Sequence, residues 1–327
     1  MHFIKMLLVG FLVVLSAPAV SLAQYQGFGT STRGGADRPV IRVTTLNDAG
    51  PGSLREALSR GSRTIVFDVT GDILLRDHLW VLGAYITLDG FSAPVPGITL
   101  KNYGLVIRGS KGAHDVIIRG IRVRNAAIDG IQVAYGAYKV ILDRVSVAGS
   151  LDGNLDITEG ARDVTVSWSI LGANHKNMLI KHNPSRVTLH HNLLAGSSRN
   201  PQVRMDDSTT ARASTTTADI RNNLVAHLGG YGILAWYGPR VNIVNNFLAD
   251  PDDALSVIEA LAYVAGNRAQ DGTDPNHVGT ETIPFSAPKV ATQDACQAAN
   301  LVLATAGVRP LDQVDQDILA GIQPCQD

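Results

Sequence analysis

Short runs of alternating apolar and polar residues recur along the chain from residue 110 onward. Four of these runs carry a valine at equivalent places: Val116, Val140, Val164 and Val187. Two further copies begin at Ala218 and Val241, separated by the same interval as Val164 and Val187. Each copy is rich in β-branched residues and has the two-residue period of a strand. Because the strand recurs at a nearly constant interval, without a helical pattern in between, the sequence predicts a solenoid.

The residues within each repeat indicate the type of solenoid. Leucine-rich repeats have a similar period, but their leucine–asparagine signature is absent here. An all-β, right-handed parallel β-helix fits better, in which every coil supplies strands to long parallel sheets. Equivalent asparagines in three coils are expected to stack and to hydrogen-bond one another at a corner: Asn192, Asn223 and Asn246. The larger spacing between Val187 and Ala218 indicates an inserted loop over residues 206–217.

Both ends of the repeat array differ from its middle. Residues 53–58 follow a Gly-Pro-Gly turn and are predicted to form a short helix that covers the open end of the solenoid. Residues 65–69 are predicted to form a buried strand. After residue 285 the pattern becomes helical, over 294–305 and 311–322, and this tail is expected to pack on the outer wall. Residues 24–327 are therefore interpreted as a single β-helix domain.

Composition narrows the class of protein further. The chain has 327 residues, a formal net charge of −1 and 17% charged residues, so it lacks the basic footprint of a nucleic-acid-binding protein. A hydrophobic content of 45% with 32 glycines suits a globular protein with a β-rich core.

Residues 1–23 have the pattern of a signal peptide. A weakly basic start precedes an apolar run that is too short for a membrane span, and Ala23 ends a run of small residues suited to cleavage. The product is therefore expected to be exported, free of the membrane and monomeric. In an oxidising compartment the two cysteines, Cys296 and Cys325, could form a disulfide; the alternative is two unpaired thiols.

Two arginines, Arg199 and Arg204, bracket Pro201 just after a strand-like run. Proline restricts the local backbone, so the two guanidinium groups could be held as a pair. Arginine grips carboxylates in a bidentate fashion, which points to an acidic ligand. The alternative is two solvated arginines on a surface loop.

Taken together, the motifs resemble those of the extracellular β-helix family of pectate lyases and pectin lyases, a family of polysaccharide lyases. The resemblance covers most of the chain after residue 23 and rests on the order of many individually weak matches. These are GFG at 27–29, GPGSLR at 50–55, IVFDV at 65–69, DGNLDIT at 152–158, VTVSW at 164–168, HK at 175–176, MLI at 178–180, VT at 187–188, HHN at 190–192 and RNPQVR at 199–204.

The resemblance implies calcium-assisted β-elimination on polygalacturonate, the backbone polysaccharide of pectin. Arg199 matches the proposed catalytic base of the family, which removes the C5 proton of a galacturonate unit. Lys176 and Arg204 match substrate-binding residues. The family's calcium ligands match Asp129, Asp152 and Asp156, and calcium prefers such hard oxygen ligands.

Spacing supports this assignment independently. The interval from Asp129 to Asp152 equals that from Lys176 to Arg199, and both match the repeat, so each pair is expected to be one coil apart. Asp152 and Asp156 are four residues apart and would face the same way on a strand. An arginine base has an ordinary pKa above about 12, so neighbouring cations or alkaline pH must help it lose its proton. We therefore predict an alkaline optimum.

The sequence also departs from the family pattern and leaves several hypotheses open. Ala127 occupies a position where the family often has a further acidic calcium ligand, so calcium binding is expected to be weaker. Asp206 and Asp207 could be the carboxylate pair of a β-helix hydrolase. A pectin lyase acting on methylated substrate and a non-catalytic wall-binding β-helix also fit parts of the pattern. His175, His190 and His191 lack a further ligand at convincing spacing and are interpreted as packing residues rather than a zinc site.

Overall fold

The structure, a computed structural model, describes residues 25–250 and 253–326. The predicted signal peptide lies outside the described residues. Three parallel sheets wind around one apolar core, and the strands are numbered in chain order. Sheet A has ten strands: β1 (Val40–Val43), β2 (Arg63–Phe67), β5 (Ile86–Asp89), β8 (His114–Arg119), β11 (Tyr138–Asp143), β14 (Arg162–Ser167), β17 (Ser185–His190), β20 (Thr217–Arg221), β23 (Arg240–Val244) and β26 (Leu261–Ala265).

Each sheet A strand of the coils is followed by a strand of sheet B. Sheet B has nine strands: β3 (Gly71–Leu74), β6 (Ile98–Lys101), β9 (Ile121–Arg124), β12 (Ser146–Ala148), β15 (Ile170–Gly172), β18 (Leu193–Ala195), β21 (Leu224–Val225), β24 (Phe247–Leu248) and β27 (Arg268–Ala269). Sheet C completes the coil with eight strands: β4 (Leu79–Val81), β7 (Leu105–Arg108), β10 (Ile131–Ala134), β13 (Gly153–Thr158), β16 (Lys176–Lys181), β19 (Gln202–Arg204), β22 (Ile233–Trp236) and β25 (Leu255–Ile258).

The predicted parallel β-helix is confirmed, and the sequence repeat corresponds to the register of sheet A. The residues at the equivalent place in the six copies pair with one another in order: Val116, Val140, Val164, Val187, Ala218 and Val241. All six point into the core, where apolar side chains from the three sheets form one continuous cluster. One coil of this solenoid is a strand from each of the three sheets.

The α-helices lie near the ends of the solenoid and in the inserted loop, whereas 3₁₀ helices also occur between strands. The α-helices are α1 (Leu54–Ala57), α2 (Ser208–Ala211), α3 (Ala295–Thr305) and α4 (Gln313–Leu319), and the 3₁₀ helices are Phe28–Ser31, Gly90–Ser92, Gly109–Lys111 and Pro275–Val278. The predicted strand at 65–69 begins at Arg63 and ends at Phe67, because its partner strand β1 ends opposite Phe67. Helix α4 begins at Gln313 because the Asp312 side chain accepts the backbone N–H of Asp315 and caps the helix.

The C-terminal tail packs on the outer wall, as the helical pattern predicts. Apolar residues of α3 and α4 cover the outward residues of sheet B, among them Ile170, Leu193 and Phe247. A disulfide joins Cys296 of α3 to Cys325 near the end of the tail. No helix among the described residues is both long and apolar enough to cross a membrane. The tail thus covers sheet B from β12 to β24, and the candidate site residues lie on sheet C or beside it.

Candidate active site

The outer face of sheet C and the turns that precede its strands carry all six candidate residues. Along β13, Leu155 and Ile157 are fully buried in the core, so Asp156 and Thr158 point outward. The same alternation along β16 and β19 turns Lys181 and Arg204 outward, and those two residues are register partners. The candidate residues therefore occupy successive coils and form a band that runs across the strands.

Asp129 and Asp156 form a buried carboxylate pair at one end of this band. Asp129 Oδ1 accepts the backbone N–H of Gly153 at 2.9 Å, and its Oδ2 accepts Gln132 Nε2 at 3.1 Å. Asp156 Oδ1 is buried and has no hydrogen-bond partner among the described residues. A Cβ at Gly153 would lie 2.3 Å from that oxygen and 3.2 Å from Asp129 Oδ1, so the close approach of both carboxylates requires glycine here.

Electrostatics at the carboxylate pair favour a cation. Burial raises the pKa of Asp156 well above its usual range, and the charges of Asp129 and Asp152 raise it further. Burial likewise raises the pKa of Asp129. Both shifts mean that the two carboxylates are costly to ionise side by side in the absence of a compensating positive charge. A bound cation would remove that cost.

The position of Asp152 does not meet the expectation that it faces the same way as Asp156 on one strand. It lies in the turn before β13 rather than on the strand, so the two-residue alternation does not apply to it. Its carboxylate is half exposed and its Oδ1 pairs with Lys176 Nζ at 2.8 Å. Lys176 begins β16, one coil further along, as its spacing predicts.

Arg199 lies in the turn before β19, one coil beyond Lys176. Its backbone is left-handed, with φ of 62°, and its carbonyl accepts the N–H of Met178 at 2.8 Å. Its half-buried guanidinium has no hydrogen bond or ion pair with the residues that the structure describes. The positive charge of Arg199 acts on Asp156, since it opposes the larger effect of burial on the pKa of that carboxyl. An unpaired arginine therefore stands beside the buried carboxylate pair.

Arg204 is held more firmly than Arg199. Its Nε donates to the Met205 carbonyl at 2.6 Å, and a second nitrogen donates to the Asp206 carbonyl. Its guanidinium lies over the Trp236 ring, 4.5 Å from the centroid. Trp236 is its register partner on the next coil, so the Trp236 ring packs against the arginine and supports it. With Nε and one terminal nitrogen bound to carbonyls, the other terminal nitrogen of the guanidinium remains available to a carboxylate.

A ladder of buried asparagines lies directly beneath these side chains. Asn154 Nδ2 donates to Asn177 Oδ1 at 2.9 Å, and Asn177 Nδ2 donates to Asn200 Oδ1 at 2.7 Å. All three are fully buried. Asn177 follows Lys176 and Asn200 follows Arg199, so the ladder fixes the positions of these two cations relative to each other on neighbouring coils. We call Asn154, Asn177 and Asn200 the site ladder.

Sequence reasoning missed the site ladder, although the same spacing that identified the repeat joins its members. It identified only the other ladder, which lies at the turn between the strands of sheet A and those of sheet B, and the structure confirms that stack. There Asn192 Nδ2 donates to Asn223 Oδ1 at 2.9 Å and Asn223 Nδ2 to Asn246 Oδ1 at 3.0 Å. The stack continues through Asn267.

The donor set at the carboxylate pair fits a metal ion in its chemistry. Asp129 and Asp156 supply hard carboxylate oxygens, and the unpartnered Oδ1 of Asp156 suits a divalent cation such as calcium. Asp152 does not join them because it is paired with Lys176. Accordingly, no group of three or more His, Cys, Asp or Glu side chains within residues 25–250 and 253–326 is arranged to hold a metal. Two carboxylates are thus in place for a cation, and a third is engaged elsewhere.

The remaining polar candidates have structural partners. Asp206 pairs with Lys181 and His182, and hydrogen bonding from Lys181 lowers its pKa. Asp207 caps α2, and hydrogen bonds led by the Thr209 hydroxyl lower its pKa to about 2. A glycosidase needs one carboxylic acid with a raised pKa, so this pair does not have the properties of a hydrolase acid and base.

The three histidines do not come together. His190 and His191 belong to the outer side of sheet A, where their Nδ1 atoms are 3.0 Å apart and His191 stacks on Trp168. His175 is exposed in the turn before Lys176, beside sheet C. Their interpretation as packing residues rather than a zinc site agrees with this separation.

The chain is similar in sequence to fungal proteins, although no protein-family model matches it. It is 32% identical over 271 residues to a protein of Emericella nidulans named probable pectate lyase C, an alignment that covers 78% of this chain and 59% of that protein. A protein of the same name from Aspergillus fumigatus is 29% identical over 333 aligned positions, covering 91% of this chain and 76% of that protein. The chain therefore spans less than two thirds of the length of the Emericella nidulans protein.

Solved structures share the fold. The major allergen jun a 1 from cedar pollen has a TM-score of 0.72 and 20% identity, covering 87% of this chain and 92% of the allergen. A pectate lyase from Bacillus sp. N165, solved with trigalacturonate, has a TM-score of 0.68 and 19% identity, covering 87% of this chain and 98% of that lyase. At these identities the likeness concerns the parallel β-helix alone.

Proposed function

The chain is a relative of the pectate lyases with a parallel β-helix fold, and from that premise we propose that it cleaves polygalacturonate by β-elimination. The products are oligogalacturonides that carry an unsaturated end. The observation that carries the proposal is the band on sheet C, in which a buried carboxylate pair has the unpaired Arg199 beside it and the stacked Arg204 belongs to the same coil as Arg199. This arrangement suits an acidic sugar chain better than a neutral one, because each cation can meet a carboxylate.

In the proposed reaction, Arg199 takes the proton from C5 of a galacturonate unit. The electron pair left behind forms the double bond between C4 and C5 as the bond from C4 to the glycosidic oxygen breaks. That oxygen leaves with the shorter chain and takes a proton from solvent. Charge builds on the neighbouring carboxylate as the C5 proton departs, and Arg204 stabilises it together with Lys176 once Lys176 has left Asp152.

Calcium is the proposed cofactor, with Asp129 and Asp156 holding it. When bound it would draw electron density from the substrate carboxylate and make the C5 proton more acidic. Asp152 would contribute by exchanging Lys176 for the ion, which frees the Lys176 ammonium for the substrate. Because Ala127 supplies no carboxylate, calcium affinity is expected to be modest and to rise when substrate oxygens complete the coordination.

Proton abstraction by an arginine requires that some of it be neutral, and an ordinary guanidinium is charged at neutral pH. A higher pH raises the neutral fraction of a guanidinium and so favours proton abstraction. We therefore propose an alkaline optimum. A pH–rate profile that peaks below neutrality would contradict the role of Arg199 as base.

The test is an assay of the purified protein on polygalacturonate with calcium or with a chelator. β-Elimination produces an ultraviolet absorbance from the new double bond, whereas hydrolysis produces reducing ends without it. Absorbance on highly methylated pectin that persists with chelator would indicate a pectin lyase instead. No change on either substrate would favour a binding protein. Export is part of the proposal and rests on the signal peptide predicted at residues 1–23; a monomeric state is proposed separately.

A further inference from the structure

A second cation stacked on aromatic rings lies on the same outer face of sheet C. The Arg108 guanidinium is 3.9 Å from the centroid of the Tyr135 ring and 5.8 Å from that of Trp80. Its Nε donates to Ser110 Oγ at 3.0 Å. Arg108 is half buried and forms no ion pair with any carboxylate in the described part of the chain. Tyr135 is 45% exposed, so this cluster is open to solvent.

Register places the Arg108 cluster in line with the proposed active site. Arg108 pairs with Ala134. Val133, the residue before Ala134, pairs with Ile157, so Ala134 lies opposite Thr158. Thr158 pairs in turn with Lys181, and Lys181 pairs with Arg204. Arg108 and Arg204 therefore belong to one row of outward-facing side chains that crosses the strands of sheet C. Four strand spacings of about 4.8 Å separate them, about 19 Å in all.

The buried carboxylate pair lies between these two arginines. His78 lies beside the cluster, since its ring is 6.4 Å from that of Trp80 and 5.4 Å from that of Tyr103. Cations, carboxylates and aromatic rings thus continue across the strands in one direction. A polyanion that reaches Lys176 and Arg199 on successive coils must run in that direction, and a long one passes over β7.

We propose that Arg108, supported by Tyr135 and Trp80, is a distal subsite that binds a carboxylate of a long polyuronate chain. The proposal rests on the function proposed above and adds a residue that favours long substrates over short ones. The cluster repeats the construction of Arg204 on Trp236: a ring covers the face of the guanidinium, and in Arg108 the terminal nitrogens remain available to a carboxylate while Nε is bound to Ser110. The exposed rings offer apolar surface to the sugar itself.

The experiment compares Arg108→Gln with the wild type on polygalacturonate and on trigalacturonate, both with calcium. We expect the KM for the polymer, relative to the KM for the trimer, to rise about threefold to tenfold, because one charge-assisted contact is lost. Arg108→Lys keeps the charge but not the planar fork and should recover part of the affinity. Thermal unfolding of each variant checks that the fold is retained.

Arg162 provides the matched control. Its guanidinium lies over the Tyr138 ring at 4.4 Å, the same kind of stack, but on sheet A. Arg162→Gln should leave the ratio of polymer to trimer KM at the wild-type value. An unchanged ratio in Arg108→Gln, or an equal rise in Arg162→Gln, would overturn the proposal.

A binding measurement separates this proposal from the catalytic one. If the wild type yields no unsaturated product, the proposed function fails, and mobility in a native gel containing polygalacturonate then tests the subsite. Retardation of the wild type that weakens in Arg108→Gln, but not in Arg162→Gln, would support the subsite without catalysis. Equal retardation of all three proteins, or none, would refute it.

Discussion

The site ladder predicts that a residue which does not touch substrate controls the position of two that do. Replacing Asn177 by alanine removes the middle of the ladder between Lys176 and Arg199. The Asn177 side chain donates to the Leu171 carbonyl at 3.0 Å and to Asn200 Oδ1 at 2.7 Å, and it accepts Asn154 Nδ2 at 2.9 Å. Nothing inside the wall can replace these partners without rearrangement, because the side chain is fully buried.

The size of the effect follows from these three contacts. A buried hydrogen bond contributes about 1 kcal/mol net, so Asn177→Ala should lower the free energy of unfolding by about 3 kcal/mol. The Asn200 amide keeps its two hydrogen bonds with Gly196 but loses its bond to the neighbouring coil, which loosens the turn that carries Arg199. A displacement of about 1 Å at a reacting group can lower turnover up to about a hundredfold, and we expect a tenfold to hundredfold loss of kcat.

Asn223→Ala is the control, because it removes the middle of the other ladder. The Asn223 side chain makes four buried hydrogen bonds, with Leu189, Asn246 and twice with Asn192, so its loss should cost about 4 kcal/mol. Urea unfolding measures both stabilities, and kcat on polygalacturonate is measured well below both unfolding midpoints. Only Asn177→Ala should lose turnover there. Equal losses of kcat in the two variants would refute the positioning argument.

Three further predictions concern single side chains. Arg199→Lys should keep the wild-type unfolding midpoint and lower kcat by a factor of about 10² to 10⁴; full activity would exclude Arg199 as the base. Calcium should raise the midpoint of the wild type, and Asp156→Asn should abolish that rise, as thermal unfolding with calcium or chelator would show; a calcium shift that survives in the variant would place the ion elsewhere. Burial, followed by the charge of His191, lowers the pKa of His190 from 6.5 to about 3. As the pH falls, the unfolded chain therefore binds this proton before the folded chain does, and the free energy of unfolding decreases between pH 6.5 and about pH 3. Relative to His190→Gln, the wild type should lose up to about 1.4 kcal/mol per pH unit there, and parallel stability curves would contradict the assignment.

Much of the fold follows from sequence periodicity alone. The spacing of Val116, Val140 and Val164 equals one coil because each coil must bring its strand back into register with the one before. The two-residue alternation then decides which side chains face the core, and it correctly turns Asp156 and Arg204 outward. The same spacing brings Lys176 and Arg199 to neighbouring coils.

The partners of individual side chains could not be predicted in this way. Asp152 and Asp156 are close in sequence, yet one lies in a turn and pairs with Lys176, whereas the other is buried and its Oδ1 has no hydrogen-bond partner among the described residues. That difference depends on where β13 begins, and the backbone of Gly153 decides it by allowing the carboxylates to approach. The Arg108 cluster likewise carries no sequence motif.

Sequence by itself thus determined the solenoid, its register and the coil on which each candidate residue lies, because a strand period and a coil period are properties of spacing. Tertiary structure alone decided which carboxylates are buried together, which cation is left unpaired and which asparagines hold them. Those outcomes depend on burial and on hydrogen bonds between residues one coil apart. Arg199 is informative for both reasons: its spacing places it beside Lys176, and only the folded wall leaves its guanidinium unpaired next to Asp156.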